Sequence, residues 1–199
     1  MDAVELQCRY ADLATAHVAD ACLQLALPLR YGPAGLAPLW AGTHVVGRVC
    51  PVRHQGDPQV ILQAMERAAP GDVLLVDNGA RDDEACVGDI MALRASRAGL
   101  NGIVIWGLHR DSADLRTIHL PLFSLGAFPA RPRRNDAQQG DPFSFAQCGG
   151  HTVSADDFVL GDDDGVIFLP LEAADEVARV ASGIRDGERR RAAQARGGS

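Results

Sequence analysis

The sequence predicts an α/β fold with a mixed central sheet, in one domain. Three segments have the pattern of buried strands, namely 73–77 (VLLVD), 102–107 (GIVIWG) and 121–125 (PLFSL). Helical segments over 88–98 and 110–117 separate them. Strands that alternate with helices favour parallel pairing with crossover connections. The centre of the sheet is therefore predicted to be parallel.

The first part of the chain contributes two further helices and one strand. Residues 11–26 predict a helix with Thr15 or Asp12 near its start, and residues 44–52 predict a strand. A second helix is predicted to begin at Asp57 and Pro58 and to run to about residue 69, because Asp caps a helix and Pro fits its first turn.

The last part of the chain changes to short strands and a final helix. The strands are predicted around 143–147, 152–154, 158–160 and 166–169. Asp164-Gly165 is a hairpin signal between the last two strands. Calcium binding by residues 162–165 is the alternative, but the alternating spacing and distal Glu of an EF-hand are missing.

Length and continuity indicate one domain. The chain has 199 residues, which suits a single core, and no long linker or internal repeat divides it. We expect a single domain over 1–199, with its core at about 15–170 and a C-terminal helix over 171–195.

Composition excludes several classes of protein. All 19 basic residues are arginine, so lysine Schiff-base enzymes, P-loop proteins and pyridoxal phosphate enzymes are excluded. A net charge of −7 disfavours nucleic acid as a partner. The sequence contains no apolar run of membrane-spanning length and no signal-peptide pattern at its start, so we expect no membrane partner and a cytoplasmic location.

Two predicted strand ends are rich in polar residues. Gly88-Asp89 follows the first buried strand and its loop, and Arg110-Asp111 follows the second, each at a predicted helix start. Ligands gather beyond the carboxyl ends of parallel strands. Because the two strands are expected to be neighbours, we predict that both loops open into one crevice.

This crevice suits a small anion and a hard cation. The amides of Ile90 and Met91 are expected at a helix N-terminus, which attracts a carboxylate, and Arg110 offers a planar fork to the same group. Asp89 and Asp111 provide oxygen ligands for a cation such as Mg²⁺. Such a metal could stabilise an enolate formed from a 2-oxo acid.

Structural explanations of the same residues remain open at this point. Asp89 could cap its helix, and Arg110 with Asp111 could form a surface ion pair. His109 is adjacent in sequence and could contact a ligand.

The order of these motifs resembles a known family. Asp89, twenty intervening residues and Arg110-Asp111 match the D-x₂₀-R-D pattern of 4-hydroxy-4-methyl-2-oxoglutarate aldolases, which belong with the RraA-like regulators of ribonuclease activity. The segments PGDVLLVDNG, PLFSLGAFP and DDFVLGDDDGVIFLP are also similar to family segments, and the resemblance covers roughly residues 15–190.

The resemblance implies a swivelling α/β/β fold and a homotrimer or hexamer. It implies a class II pyruvate aldolase that cleaves 4-hydroxy-2-oxo acids, or decarboxylates oxaloacetate, with Mg²⁺ or Mn²⁺ as cofactor. Asp111 would hold the metal largely through water, Arg110 would bind pyruvate and offset enolate charge, and Asp89 would orient metal-bound water.

The resemblance also assigns carboxylate binding to a group around the helix start and a catalytic carboxylate to the C-terminal segment. Gly88, Asp89, Ile90 and Met91 would hold the substrate carboxylate together with Arg110. A carboxylate from a neighbouring subunit can complete family sites, and here Glu188 is the candidate, with Asp186 as the alternative.

Two segments depart from the family pattern. Trp106 stands where an acidic residue is common, and residues 78–84 are peculiar to this chain. We expect both to lie near the substrate. The rival function is a non-catalytic regulator that binds a ribonuclease or helicase. A demethylmenaquinone methyltransferase is a third label used for the family, but no cofactor-binding glycine motif supports it.

Overall fold

A mixed sheet of eight strands forms the centre of the protein. The computed structural model describes residues 1–134 and 136–197. The helices are α1 (Ala3–Tyr10), α2 (Thr15–Gln24), α3 (Gln59–Arg67), α4 (Asp89–Arg97), α5 (Ser112–Ile118) and α6 (Ala174–Gly197). The strands are β1 (Arg30–Tyr31), β2 (Ala37–Pro38), β3 (Val45–Arg53), β4 (Val73–Asp77), β5 (Ala85–Val87), β6 (Gly102–Trp106), β7 (Leu108–His109), β8 (Leu122–Ser124), β9 (Phe145–Cys148), β10 (His151–Ser154), β11 (Asp157–Asp162) and β12 (Gly165–Pro170).

The order of strands confirms the predicted α/β fold with a mixed sheet. The order is β1-β12-β11-β3-β4-β6-β8-β2, in which β3, β4, β6 and β8 run parallel. The remaining neighbours pair antiparallel. The sheet curls, since β2 at one edge contacts β11 and β12 near the other.

Alternate residues of the central strands enter two different cores. Leu74 and Val76 of β4 pack with α3 and α4, whereas Val73 and Leu75 face the hairpin of β9 and β10. Successive side chains of a strand point to opposite faces. Both faces are covered, which explains the continuous apolar runs in the sequence.

A third core joins the two ends of the chain. Helices α1, α2 and α6 pack on β11 and β12, with Tyr10 and Phe158 fully buried in edge-to-face contact at 4.9 Å. Helix α1 was not predicted from the sequence. The Asp2 carboxylate caps it by accepting a hydrogen bond from the Glu5 amide at 2.8 Å.

A contact with a distant residue fixes the start of α2. The helix predicted over 11–26 with Thr15 or Asp12 near its start begins at Thr15, whose amide and hydroxyl both donate to the Asp162 carboxylate at 2.7 Å. The predicted hairpin is confirmed, because Asp162 pairs with Gly165 across a two-residue turn. In this turn the Asp163 carboxylate accepts a hydrogen bond from the Gly42 amide at 2.8 Å. No cluster of three or more potential metal ligands occurs among the residues the structure describes. Within that same part of the chain, no helix combines the length and apolar character needed to cross a membrane.

Candidate active-site cleft

Two short strands bring the predicted loops together. β4 and β6 are parallel neighbours, with Asp77 opposite Trp106 at their ends. Beyond these ends the chain forms β5 and β7, which pair parallel to each other, and the Arg110 amide donates to the Val87 carbonyl at 2.9 Å. As a result, Gly88 and Arg110 leave their strands side by side.

The predicted site residues meet at this point. The Arg110 Nε atom donates to Asp111 Oδ2 at 3.1 Å, and the Asp89 amide lies 3.4 Å from the same oxygen. Gly88 passes directly beneath, since a Cβ atom there would overlap the Asp111 carboxylate and lie 3.1 Å from Arg110 Cγ. The structure therefore shows the convergence of the two loops that the sequence predicted.

A cleft of about 820 Å³ is lined by Gly88, Asp89 and Arg110, whereas Asp111 touches Arg110 without lining the cleft itself. The residues of the α4 start that line it, together with Arg110, are Gly88, Asp89, Ile90 and Met91. Arg131 and Arg133 also line the cleft, in a segment that is joined to β5 by a hydrogen bond of 2.8 Å from the Ala85 amide to the Ala130 carbonyl. Three guanidinium groups against one lining carboxylate favour an anionic ligand.

The N-terminus of α4 is open to this cleft. Its N-cap is Gly88, which has no side chain, and Asp89 is the first helical residue. No side-chain cap hydrogen bond is formed there. Asp89 therefore does not cap its helix, and the first-turn amides remain available to a carboxylate.

Asp111 adopts a backbone conformation that non-glycine residues seldom use. Its φ and ψ angles are 61° and 40°, in the left-handed region. It is the N-cap residue of α5, but its side chain makes no capping hydrogen bond and instead contacts Arg110. The Asp111 side chain is 29% exposed, so the pair is half-buried and differs from the surface ion pair of the alternative interpretation.

His109, the residue before Arg110, is held by contacts with two serine hydroxyl groups. Its Nδ1 atom lies 2.7 Å from the Ser124 hydroxyl and its Nε2 atom 2.8 Å from the Ser112 hydroxyl. Burial lowers the pKa of His109. The ring does not line the cleft, so the structure assigns His109 to positioning the β7 turn and not to ligand contact.

A buried polar network behind the cleft was missed in the sequence. Asn78 Oδ1 accepts from Arg134 at 2.9 Å and lies 2.8 Å from His54 Nδ1. Arg134 also pairs with the buried Glu84 at 2.9 Å. The three contacting pairs, His54–Asn78, Glu84–Arg134 and Asn78–Arg134, are 24, 50 and 56 positions apart in the chain, so no local pattern connects them.

The two departures from the family pattern lie outside the cleft lining, contrary to expectation. Trp106 packs with Leu125 against the core on the hairpin side of the sheet. Asn78 and Glu84, from the segment 78–84, contact His54 and Arg134, of which His54 lines the cleft.

The C-terminal carboxylates lie away from this chain's own cleft. Glu188 lies 3.3 Å from His17 Nε2 of α2, and Asp186 pairs with Arg185 at 2.8 Å. Both positions are on α6. Their proposed role concerns a neighbouring subunit, so Glu188 stays a prediction.

The donor set at the cleft fits a hydrated hard cation. Both contacts of the Asp111 carboxylate use Oδ2, and Asp89, whose amide lies 3.4 Å from that oxygen, carries a second carboxylate. Mg²⁺ keeps several waters and is often held by one or two carboxylates. Asp111 and Asp89 are the residues here that could hold such an ion.

Comparison with known proteins identifies similar chains. The family model described as RraA-like: Aldolase/RraA matches residues 15–168. A Bacillus cereus protein named "Putative 4-hydroxy-4-methyl-2-oxoglutarate aldolase" is 33% identical over 122 residues, which are 61% of this chain and 76% of that protein. A protein of the same name from Halalkalibacterium halodurans is 30% identical over 147 residues, covering 73% of this chain and 69% of the other.

Solved structures share the whole fold. An uncharacterized protein from Pseudomonas syringae pv. tomato aligns with a TM-score of 0.84 and 28% identity, over 98% of this chain and 94% of its own. Streptomyces coelicolor RraAS2, described as an unusual member of the RNase ES inhibitor RraA protein family, aligns with a TM-score of 0.82 and 24% identity, over 93% and 94%. These likenesses confirm the fold predicted from the resemblance.

Proposed function

Because this chain belongs to the RraA-like family, we propose that it is a divalent-metal-dependent lyase that releases pyruvate from 4-hydroxy-2-oxo acids or from oxaloacetate. The observation that carries the proposal is the cleft that Arg110 shares with the open N-terminus of α4, together with the contacts of the Asp111 carboxylate with Arg110 and the Asp89 amide. The names of the relatives at about 30% identity support the same reaction class.

The α4 start and Arg110 would bind the 2-oxo acid group. The amides of Ile90 and Met91 would donate to the substrate carboxylate, where the helix dipole favours negative charge. Asp111 accepts from Nε of Arg110, so the two terminal amino groups are left for the substrate. Three arginines along the cleft also suit a substrate with a second carboxylate.

Cleavage requires an electron sink for the C3–C4 bond. Asp111, with Asp89 orienting water, would hold the Mg²⁺ or Mn²⁺ ion, which supplies Lewis-acid polarisation of the 2-oxo group when bound. The Arg110 guanidinium would offset the negative charge that develops on the enolate oxygen, which is worth more in a partly buried cleft than in water.

We further propose that the active assembly is a trimer or hexamer. In such an assembly Glu188 of one subunit would reach the cleft of another. The exposed apolar side chains Ile90 and Leu93 lie on α4 beside the cleft, where a neighbouring subunit would cover them.

The test measures pyruvate release from 4-hydroxy-4-methyl-2-oxoglutarate and from oxaloacetate, with and without Mg²⁺. We expect turnover that EDTA removes and Mg²⁺ restores. Arg110→Ala should reduce kcat by roughly 10²–10³-fold, the usual effect of removing one group that stabilises an oxyanion. Arg94→Ala on the same helix α4, outside the cleft lining, is the matched control and should keep wild-type turnover. Absence of metal-dependent turnover of either acid would refute the proposal.

A second candidate is a binding protein without turnover. The structure of a Thermus thermophilis protein described as the RNA-processing inhibitor RraA is 27% identical and aligns with a TM-score of 0.66. This candidate predicts capture of a ribonuclease or helicase by the tagged protein in a pull-down and no pyruvate release.

A further inference from the structure

His54 is a buried histidine whose tautomer is fixed by its neighbours. Its Nδ1 atom lies 2.8 Å from Asn78 Oδ1. That oxygen also accepts a hydrogen bond from Arg134, and because a guanidinium only donates, the Asn78 atom facing both groups must be the acceptor. His54 therefore donates through Nδ1–H, and its Nε2 atom carries a lone pair.

His54 lies at the wall of the candidate active site. His54 is 3% exposed and lines the same cleft as Asp89 and Arg110. Its Nε2 atom is buried and has no hydrogen-bond partner among the described residues. An acceptor left unpaired in a protein interior costs about 1–3 kcal/mol, and such exceptions to pairing call for an explanation.

The surroundings keep the ring neutral. Burial lowers the pKa of His54, and the charge of Arg134 acts in the same direction, while the Asn78 hydrogen bond, Glu84 and Asp57 oppose it. A neutral imidazole with a free Nε2 atom can accept a proton at neutral pH.

We propose that His54 Nε2 is the base that accepts the proton of the substrate's C4 hydroxyl group in aldol cleavage. This inference rests on the proposed function and adds a residue to it. Nothing in the sequence motifs around Asp89 or Arg110 points to His54, because the chain folds it into the cleft from the end of β3.

The step balances without a further reactant. Nε2 takes the hydroxyl proton, and the O–H electrons form the C4 carbonyl of the second product. The C3–C4 electrons move to the C2–C3 bond, and the 2-oxo oxygen takes the enolate charge opposite Arg110. Return of the proton from Nε2 to C3 gives pyruvate and restores neutral His54.

Turnover of oxaloacetate distinguishes a base role of His54 from a purely structural role. Its decarboxylation breaks a C3–C4 bond at a carboxylate and involves no hydroxyl proton, although it uses the same carboxylate-binding groups. A base for the C4 hydroxyl is therefore needed for aldol cleavage and not for loss of carbon dioxide.

The experiment compares both reactions in His54→Asn. The Asn side chain keeps a donor near the Nδ1 position for Asn78 but removes the basic Nε2 atom. We expect kcat for aldol cleavage to fall by roughly 10²–10⁴-fold, the usual contribution of a general base, while oxaloacetate decarboxylation stays close to wild type. The matched control is His151→Asn, in β10 outside the cleft lining, which should alter neither reaction.

The pH dependence gives a second readout. Wild-type kcat/KM for aldol cleavage should decline on the acid side of pH 6.5, the ordinary histidine pKa, because the base must be unprotonated and its pKa is lowered. That decline should vanish in His54→Asn.

Each result is decisive. Unchanged aldol cleavage in His54→Asn, or an equal loss of both reactions, overturns the role of His54 while the proposed function stands. A wild-type protein that turns over neither acid overturns both proposals together.

Discussion

Gly88→Ala tests whether the contact between the two loops controls activity. Gly88 has φ −136° and ψ −166°, an extended conformation that any residue adopts, so the substitution introduces no backbone strain. The added Cβ atom would overlap Asp111 Oδ2 and lie 3.1 Å from Arg110 Cγ and 3.2 Å from its Nε. The ion pair must therefore shift to make room.

The expected magnitude follows from this displacement. A misplacement of about 1 Å in a catalytic group can cost roughly 10²-fold in rate, so we expect kcat for pyruvate release to fall by about that factor. Overpacking costs about 1–3 kcal/mol in the free energy of unfolding, offset in part by about 0.4–1 kcal/mol from reduced freedom of the unfolded chain. Expressed as free energies, the rise in the activation barrier for pyruvate release should therefore exceed the decrease in the free energy of unfolding.

The measurement pairs a continuous pyruvate assay with urea denaturation. Gly183→Ala is the matched control, because a Cβ atom at that helical position of α6 meets no atom within 4 Å. It should keep wild-type turnover and raise the free energy of unfolding by about 0.5–1 kcal/mol. Wild-type turnover in Gly88→Ala would refute the idea that the placement of Arg110 and Asp111 governs the reaction.

Three further predictions concern stability and its separation from activity. Glu84→Gln should lower the free energy of unfolding by about 3 kcal/mol in urea denaturation, because it removes the buried carboxylate partner of Arg134 and leaves the exposed Asp136 as the remaining carboxylate paired with it among the described residues. A loss no larger than that of a surface ion pair would contradict this. The free energy of unfolding should increase as the pH rises toward about 6.5, because burial lowers the pKa of His54 in the folded state while the unfolded state still binds the proton in this range. Chemical denaturation of wild type and His54→Asn at several pH values should show a smaller dependence of this free energy on pH in the variant. Asp111→Gly and Asp111→Ala should both lose turnover, but the Gly variant should be more stable by about 1–2 kcal/mol, since only glycine adopts φ 61° without cost, and equal stability would argue against backbone strain at this residue.

The sequence predicts those parts of the fold that depend on local pattern. The apolar runs of β4 and β6 and the glycine after Asp164 were sufficient to predict the parallel pairs and the hairpin. The two-residue strands β1, β2 and β7 were not predicted, because they exist only through pairing with distant strands. Thr15 was one of the two predicted starts of α2, but the carboxylate that accepts from its amide there is 147 positions away and could not be read from the local pattern.

The site divides in the same way. Asp89, Arg110 and Asp111 follow predictable strand ends, so topology alone was enough to predict that they would meet. His54 and Asn78 were not found as a pair, because their contact depends on how β3 and the loop after β4 pack, which no spacing in the sequence encodes. Trp106 was wrongly expected near the substrate, since alternation along β6 places its side chain on the opposite face from Ile105.

The residues that break local rules are concentrated at the cleft. Gly88 leaves the start of α4 without a capping side chain, and Asp111 holds a left-handed backbone conformation without capping α5. Both choices cost stability that an ordinary helix start would provide. Together they allow the Asp111 carboxylate to approach the α4 amides and Arg110, which a Cβ atom at Gly88 would prevent. The usual preferences for a helix-capping side chain and for a right-handed backbone are not met here, and the contact between the two loops is formed instead. Such departures from local preference are expected at functional sites.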